Sequence, residues 1–238
     1  MNKLPRYFSK LSAMGVIAFS LLSIVFFPLF EEPVFAGEPL TGILDGILKR
    51  YGGLPGLTVA YKREIITKSM AMLDDQMNRD PATGNFFFKP PNYLRVEQET
   101  PRPETVTTDG DTLWWYIPKK SLVYQYPSNK LGKELRLLSD IFQGLSKVGE
   151  GFDVVQSDLE DEREYHLKMI PNPHWEEIDH IDLTVDRGRF TIRLVEIHNF
   201  VGSVTRFILG EFSVRESFER GFFRFTVPEG IKVIKEDG

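Results

Sequence analysis

Apolar side chains recur in two distinct rhythms along this chain. Over residues 38–51 they fall at Leu40, Ile43, Leu44, Ile47 and Leu48, one stripe of an amphipathic helix. Gly52-Gly53 and Pro55-Gly56 end it. From Leu57 the period becomes two: Leu57, Val59, Tyr61 and Ile65 alternate with polar residues over 57–67. Residues 69–79 read as a further strand or a connection. Strands follow at 83–89, 93–99, 104–108, 112–117 and 121–126. A second helical spacing, Leu131, Leu135, Leu138, Phe142 and Leu145, interrupts the series and ends among Gly144 and Gly149. The two-residue period resumes at 152–157, 165–170, 178–185, 190–197, 204–214 and 222–227. Asp186-Arg187-Gly188 and Asn199 to Gly202 read as hairpin turns. Consecutive strands joined by short turns predict one mostly antiparallel sheet. A sheet of this many strands must curl or close. The helices are too few to be crossovers, so they are expected to cover its opening. No linker divides residues 37–238, so they are read as one domain.

The stretch 84–118 holds more aromatic rings than one half-buried sheet face requires. It runs Gly84-Asn85-Phe86-Phe87-Phe88-Lys89-Pro90-Pro91-Asn92, then Thr108-Asp109-Gly110-Asp111-Thr112-Leu113-Trp114-Trp115-Tyr116-Ile117-Pro118. The pattern is strand, corner, strand, Asp-Gly hairpin, strand.

The N-terminus changes the picture. Lys3, Arg6 and Lys10 precede an apolar run over 11–30, and Val34-Phe35-Ala36 has the small residues of a cleavage site. Residues 1–36 are therefore read as a signal peptide, with an uncleaved anchor as the alternative. The chain has no Cys, so it carries no lipid at that junction and no disulfides. A formal net charge of −5 gives no electrostatic case for nucleic acid. The sequence has no G-x-S-x-G elbow, P-loop or H-E-x-x-H. His166, His174, His180 and His198 show no recognised ligand spacing, and no metal or cofactor is expected. Acidic pairs such as Asp74-Asp75 and Glu176-Glu177, and the cluster 160–164, read as solvated faces. The chain is not read as an enzyme.

At 86–116 the sequence resembles the bacterial outer-membrane lipoprotein carrier family, LolA. The resemblance rests on the Lys89 to Asn92 corner and the Thr108 to Pro118 hairpin. The C-terminal Phe223-Arg224-Phe225-Thr226-Val227-Pro228-Glu229-Gly230-Ile231-Lys232-Val233-Ile234 looks like the family's closing strand. The resemblance implies a mainly β fold, a single antiparallel sheet curved into an unclosed β-barrel under a helical lid. It implies a periplasmic chaperone of a Gram-negative (diderm) bacterium. Such a carrier receives acylated lipoproteins from an inner-membrane lipoprotein-releasing ABC transporter and delivers them to the outer membrane. An outer-membrane receptor lipoprotein is an open further partner, and the protein is expected to be a monomer. Two readings stay beside this one: a periplasmic lipid or lipoprotein sensor, and a carrier of a different envelope lipid. Where the family often has an Arg that latches the lid, this chain has Pro90, which has no donor. Lys89 and Arg95 are the nearby candidates to replace it.

An acyl chain needs contiguous apolar wall. Alternation groups Phe86 with Phe88, Leu94 with Val96, and Trp114 with Tyr116, with Val106 across from the last pair. These seven are assigned to the concave, acyl-binding side. Ile43, Leu44, Ile47, Leu135, Leu138 and Phe142 are assigned to the lid. Phe87 and Trp115 fall on the opposite faces, so both faces are greasy here, and the N-terminal helix is a candidate cover for one of them. Burying a methylene is worth about 0.8 kcal/mol, so one long acyl chain gains roughly ten. A carrier that must let go is expected to offset this gain with the cost of moving its two helices.

Overall fold

The computed structural model describes residues 39–68, 80–127, 133–157 and 161–235, with residues 133–136 described by backbone alone. The candidate signal peptide and the segment 69–79 lie outside the described residues. All described residues belong to one compact unit, 37–238. No helix among them is long and apolar enough to cross a membrane.

The first apolar stripe forms α1 (Leu40–Tyr51), with Ile43, Ile47 and Tyr51 buried. Strands follow as β1 (Leu57–Ile66), β2 (Ala82–Lys89), β3 (Tyr93–Thr100), β4 (Glu104–Thr108), β5 (Thr112–Ile117) and β6 (Leu122–Pro127). The second stripe forms α2 (Lys133–Phe142), and a single turn, α3 (Val148–Gly151), leads into β7 (Phe152–Gln156). Then come β8 (Glu164–Pro171), β9 (Ile178–Asp186), β10 (Ile192–Asn199), β11 (Val204–Val214) and β12 (Lys232–Lys235).

The strands make one sheet in the order β12-β6-β5-β4-β3-β2-β1-β11-β10-β9-β8-β7. Its two ends are not joined, so the sheet is unclosed, and the helices pack over it. Neighbours in sequence explain this order except at β1–β11 and β12–β6, which pair strands far apart in the chain. Asp109 Oδ1 accepts the backbone N–H of Asp111 and Thr112 and turns β4 into β5. Asp186 and Asn199 cap the β9–β10 and β10–β11 turns through the N–H groups of Arg189 and Ser203.

Two expectations are corrected. The sheet is mixed, because β12 pairs parallel with β6 while the other ladders are antiparallel. Residues 222–227 are not a strand; the last strand is Lys232–Lys235. Phe222 N–H and Arg224 N–H bond back to Glu219 O and Gly221 O, closing turns instead of joining a ladder.

The core lies between helices and sheet. It gathers Ile43, Ile47 and Tyr51 of α1, and Leu137, Leu138, Ile141 and Phe142 of α2. Against them pack Leu57, Val59, Phe86, Phe88 and Leu94, then Leu183, Val195 and Phe207 from the C-terminal strands. A Cβ on Gly46 would lie 2.3 Å from the Phe190 ring, so the missing side chain lets α1 sit directly on that ring.

Candidate functional site

Strand pairing builds the helix-covered face in rows. One row runs Phe212, Val59, Phe86, Val96, Val106, Trp115, Tyr124, Ile234 across eight strands. The next row runs Leu57, Phe88, Leu94, Thr108, Leu113, Tyr126. Directly paired residues share a face, so the first row is a continuous apolar track and the second is apolar except at Thr108. At the helix end the track is closed: Phe86, Phe88 and Leu94 are each 1% exposed. The Phe142 ring of α2 sits 5.7 Å from Phe86 and 5.9 Å from Phe88. Toward β12 the track opens. Val96, Val106, Trp115, Tyr124 and Ile234 are half-buried, and Trp115, Tyr124 and Tyr126 stack in series.

Of the seven wall residues expected, Phe86, Phe88, Leu94, Val96 and Val106 share this face. Trp114 and Tyr116 do not. The register pairs Trp114 with Thr107 and Tyr116 with Thr105, which puts both on the opposite face. Leu113 and Trp115 take their place. The strand limits alone do not decide this: Thr108 facing Thr112 would set Val106 against Trp114, but Thr108 pairs with Leu113, which sets Val106 against Trp115.

The opposite face of β2–β6 is greasy because something else covers it. The C-terminal segment straps across it, with Phe222 against Phe87, Phe223 against Tyr93, and Phe225 against Trp114 and Tyr116. Its cover is thus this strap, and α1 lies on the other side.

Of the lid residues, Ile43, Ile47, Leu138 and Phe142 are buried in the core, and Leu44 packs against it half-buried. Leu135 is in α2, with its side chain outside the described residues. Neither replacement latch reaches the helices. Arg95 donates to Phe222 O at 2.9 Å and pairs with Glu97 at 2.6 Å, on the strap side. The Lys89 ammonium lies over the Tyr93 ring, 5.5 Å from its centre. A hydrogen bond that does join α1 to the sheet is made by Tyr51, which the sequence reading missed. Its hydroxyl accepts the N–H of Ile192 at 3.0 Å, and its ring lies 5.0 Å from Phe212. Burial pushes the phenol up to about 12, against the lowering effect of the Ile192 N–H and the Arg50 charge.

The two helices meet at Gly144. Gly144 N–H bonds to Ile141 O and Leu145 N–H to Asp140 O, ending α2 in a Schellman turn with Gly144 left-handed (φ +74). A Cβ there would lie 3.0 Å from Leu48 Cα and 3.2 Å from Ile47 O. Beside this joint is an open cleft of about 580 Å³, lined by Leu48, Tyr51, Leu54, Pro90, Gln143 and Ser146 among others. Its volume is in the range of small-molecule sites. Pro90 thus forms apolar wall where an Arg would present charge.

The chain matches the family described as "Outer membrane lipoprotein carrier protein LolA" over residues 72–226. An outer-membrane lipoprotein carrier protein of Azotobacter vinelandii is 24% identical over 155 residues, 65% of this chain and 72% of that one. That of Hahella chejuensis is 22% identical over 196 residues, 81% of this chain and 87% of that one. Among solved structures, an uncharacterized conserved protein from Thermus thermophilus superposes with a TM-score of 0.51 at 12% identity. The superposition covers 82% of this chain and 98% of that one, a likeness of fold.

Proposed function

The chain belongs to the LolA family of outer membrane lipoprotein carrier proteins, and from that premise we propose that residues 37–238 carry acylated lipoproteins between the two membranes. Membership makes it a periplasmic, non-catalytic protein of a Gram-negative bacterium that handles lipid or lipoprotein. In the proposal, residues 1–36 direct export and are removed. An inner-membrane ABC transporter then hands over the acyl chains, and the outer membrane receives them.

The observation that carries the reading is the track that starts under α2 and continues half-open to Ile234. Phe142 occupies the closed end, resting on Phe86 and Phe88. An acyl chain entering from the open end, or through the cleft beside Pro90, displaces Phe142 and the buried stripe of α1. Exposing Ile43, Ile47, Leu138 and Phe142 costs about 1.5–3 kcal/mol each, roughly ten in all. One long acyl chain gains about the same. The exchange is near balance, so cargo is sheltered without being trapped.

Depletion of the protein in its own host is the test. Lipoproteins destined for the outer membrane should accumulate at the inner membrane, and protein isolated from the periplasm should carry lipoprotein acyl chains by mass spectrometry. Normal sorting together with a different bound lipid would replace the cargo; normal sorting with no bound lipid would overturn the carrier.

A further inference from the structure

On the face of the sheet away from the helices, three ligating atoms converge. His180 and Asp182 are two apart on β9, and His198 is directly paired with His180 on β10. The imidazoles stack with centres 4.2 Å apart and 12° between planes. His180 Nε2 lies 3.4 Å and His198 Nε2 3.1 Å from the same oxygen, Asp182 Oδ2. We infer that His180, Asp182 and His198 form a binding site for a divalent transition-metal ion such as Zn²⁺.

Proton placement carries the argument. His180 Nδ1 lies 2.7 Å from the Asp179 carboxylate, which only accepts, so Nδ1 holds the hydrogen. In the neutral ring Nε2 is then a bare lone pair, and it faces the Asp182 carboxylate oxygen. Two electron-rich atoms so placed repel each other unless a second proton or a metal ion lies between them. His198 Nε2 is shielded from water and makes no well-directed hydrogen bond, despite its short distance to Asp182. A carboxylate on the far nitrogen of a ligating His is also the usual second-layer arrangement of metal sites, which fixes the tautomer and raises basicity.

All three ligating atoms lie within 4.8 Å of one another. A zinc ion about 2.0–2.2 Å from each lies in the plane of each ligating ring, so the two stacked imidazoles must turn about χ2 until their Nε2 lone pairs converge. Two nitrogens and one oxygen leave a fourth position of the tetrahedron for water or another ligand. Paired strands hold the three positions rigidly, as a precise site requires. Lys168 sits 3.9 Å from the other oxygen, Oδ1, which leaves Oδ2 to the ion. The site is on the far side of the sheet from the acyl track, and it stands or falls independently of the carrier reading. Sequence spacing concealed it, because 180 and 198 are brought together only by the β9–β10 register.

Calorimetric titration of the tag-free protein with Zn²⁺ tests it. One equivalent should bind at pH 7.5, and much less at pH 5.5, where protons compete for the imidazoles. His198→Ala and His180→Ala should each lower affinity at least tenfold, Asp179→Asn by about 10–100-fold, and His166→Ala not at all. Cu²⁺ bound to the unaltered protein should show two imidazole nitrogens by electron paramagnetic resonance, a readout independent of how the variants fold. No binding, binding unchanged in His180→Ala/His198→Ala, or a copper spectrum without nitrogen would overturn the site.

Discussion

Tyr51 ties α1 to the sheet through one hydrogen bond and one ring contact. Replacing it with Phe keeps the ring and leaves the Ile192 N–H unpaired, at a cost of about 1–3 kcal/mol. Tyr51→Phe should therefore unfold at lower urea while taking up a fluorescent acyl probe faster, since the closed state is weakened. An unchanged uptake rate would show that Tyr51 does not hold the lid. The same residue predicts a dependence on pH. Its phenol titrates near 12 in the folded protein against an ordinary 10.0. A group raised on folding contributes fully below its unfolded value and loses that contribution as pH rises through the folded one. The protein should thus lose on the order of 2–3 kcal/mol between pH 10 and 12 on this account. Urea midpoints at pH 9 and pH 11.5 should fall further for the natural protein than for Tyr51→Phe; parallel falls would remove Tyr51 from the explanation.

The proposed lid acts at the scale of its helices, and their joint is narrow. Gly144 closes α2 and touches the backbone of α1. Gly144→Ala adds about 1–2 kcal/mol of left-handed strain and forces Leu48 aside, so it should lower the melting temperature and raise acyl uptake. A melting temperature equal to that of the natural protein would contradict the contact. Phe142→Ala should cost about 3–5 kcal/mol as a buried Phe deletion, yet bind an acyl probe more tightly, because the plug over Phe86 and Phe88 is gone. Loss of affinity in a folded Phe142→Ala would make Phe142 wall and not plug. These elements were legible in the sequence wherever one rhythm governed. The stripe Leu40 to Leu48 gave α1, and β4, β5 and β11 begin and end where alternation says. The failures have physical causes. Alternation shows that Trp114 and Tyr116 share a face but not which one, and only pairing with Thr105 and Thr107 decides it. Residues 222–227 alternate like a strand, but their rings dock on Phe87, Tyr93 and Trp114, and the backbone turns instead of pairing. Tyr51 looked like the end of a helical stripe, because its partner Ile192 is 141 residues away.

For the whole molecule, the proposal gives the two faces of the N-terminal half of the sheet separate duties. On it the strap side is packing, and the helix side is the lipid track. Trp114→Ala should therefore lower stability by about 3–5 kcal/mol and leave acyl affinity as it was, when measured where the variant is folded. A fall in affinity matching that of Trp115→Ala would merge the two faces. The most direct measurement places a photo-crosslinking phenylalanine analogue at Phe88, at Trp115 or at Trp114, and loads each protein with an acylated lipoprotein before illumination. Crosslinks to the acyl chains from positions 88 and 115, with none from 114, are the predicted result. Silence at 88 and 115, or equal labelling from 114, would contradict a lipid track beneath the helices.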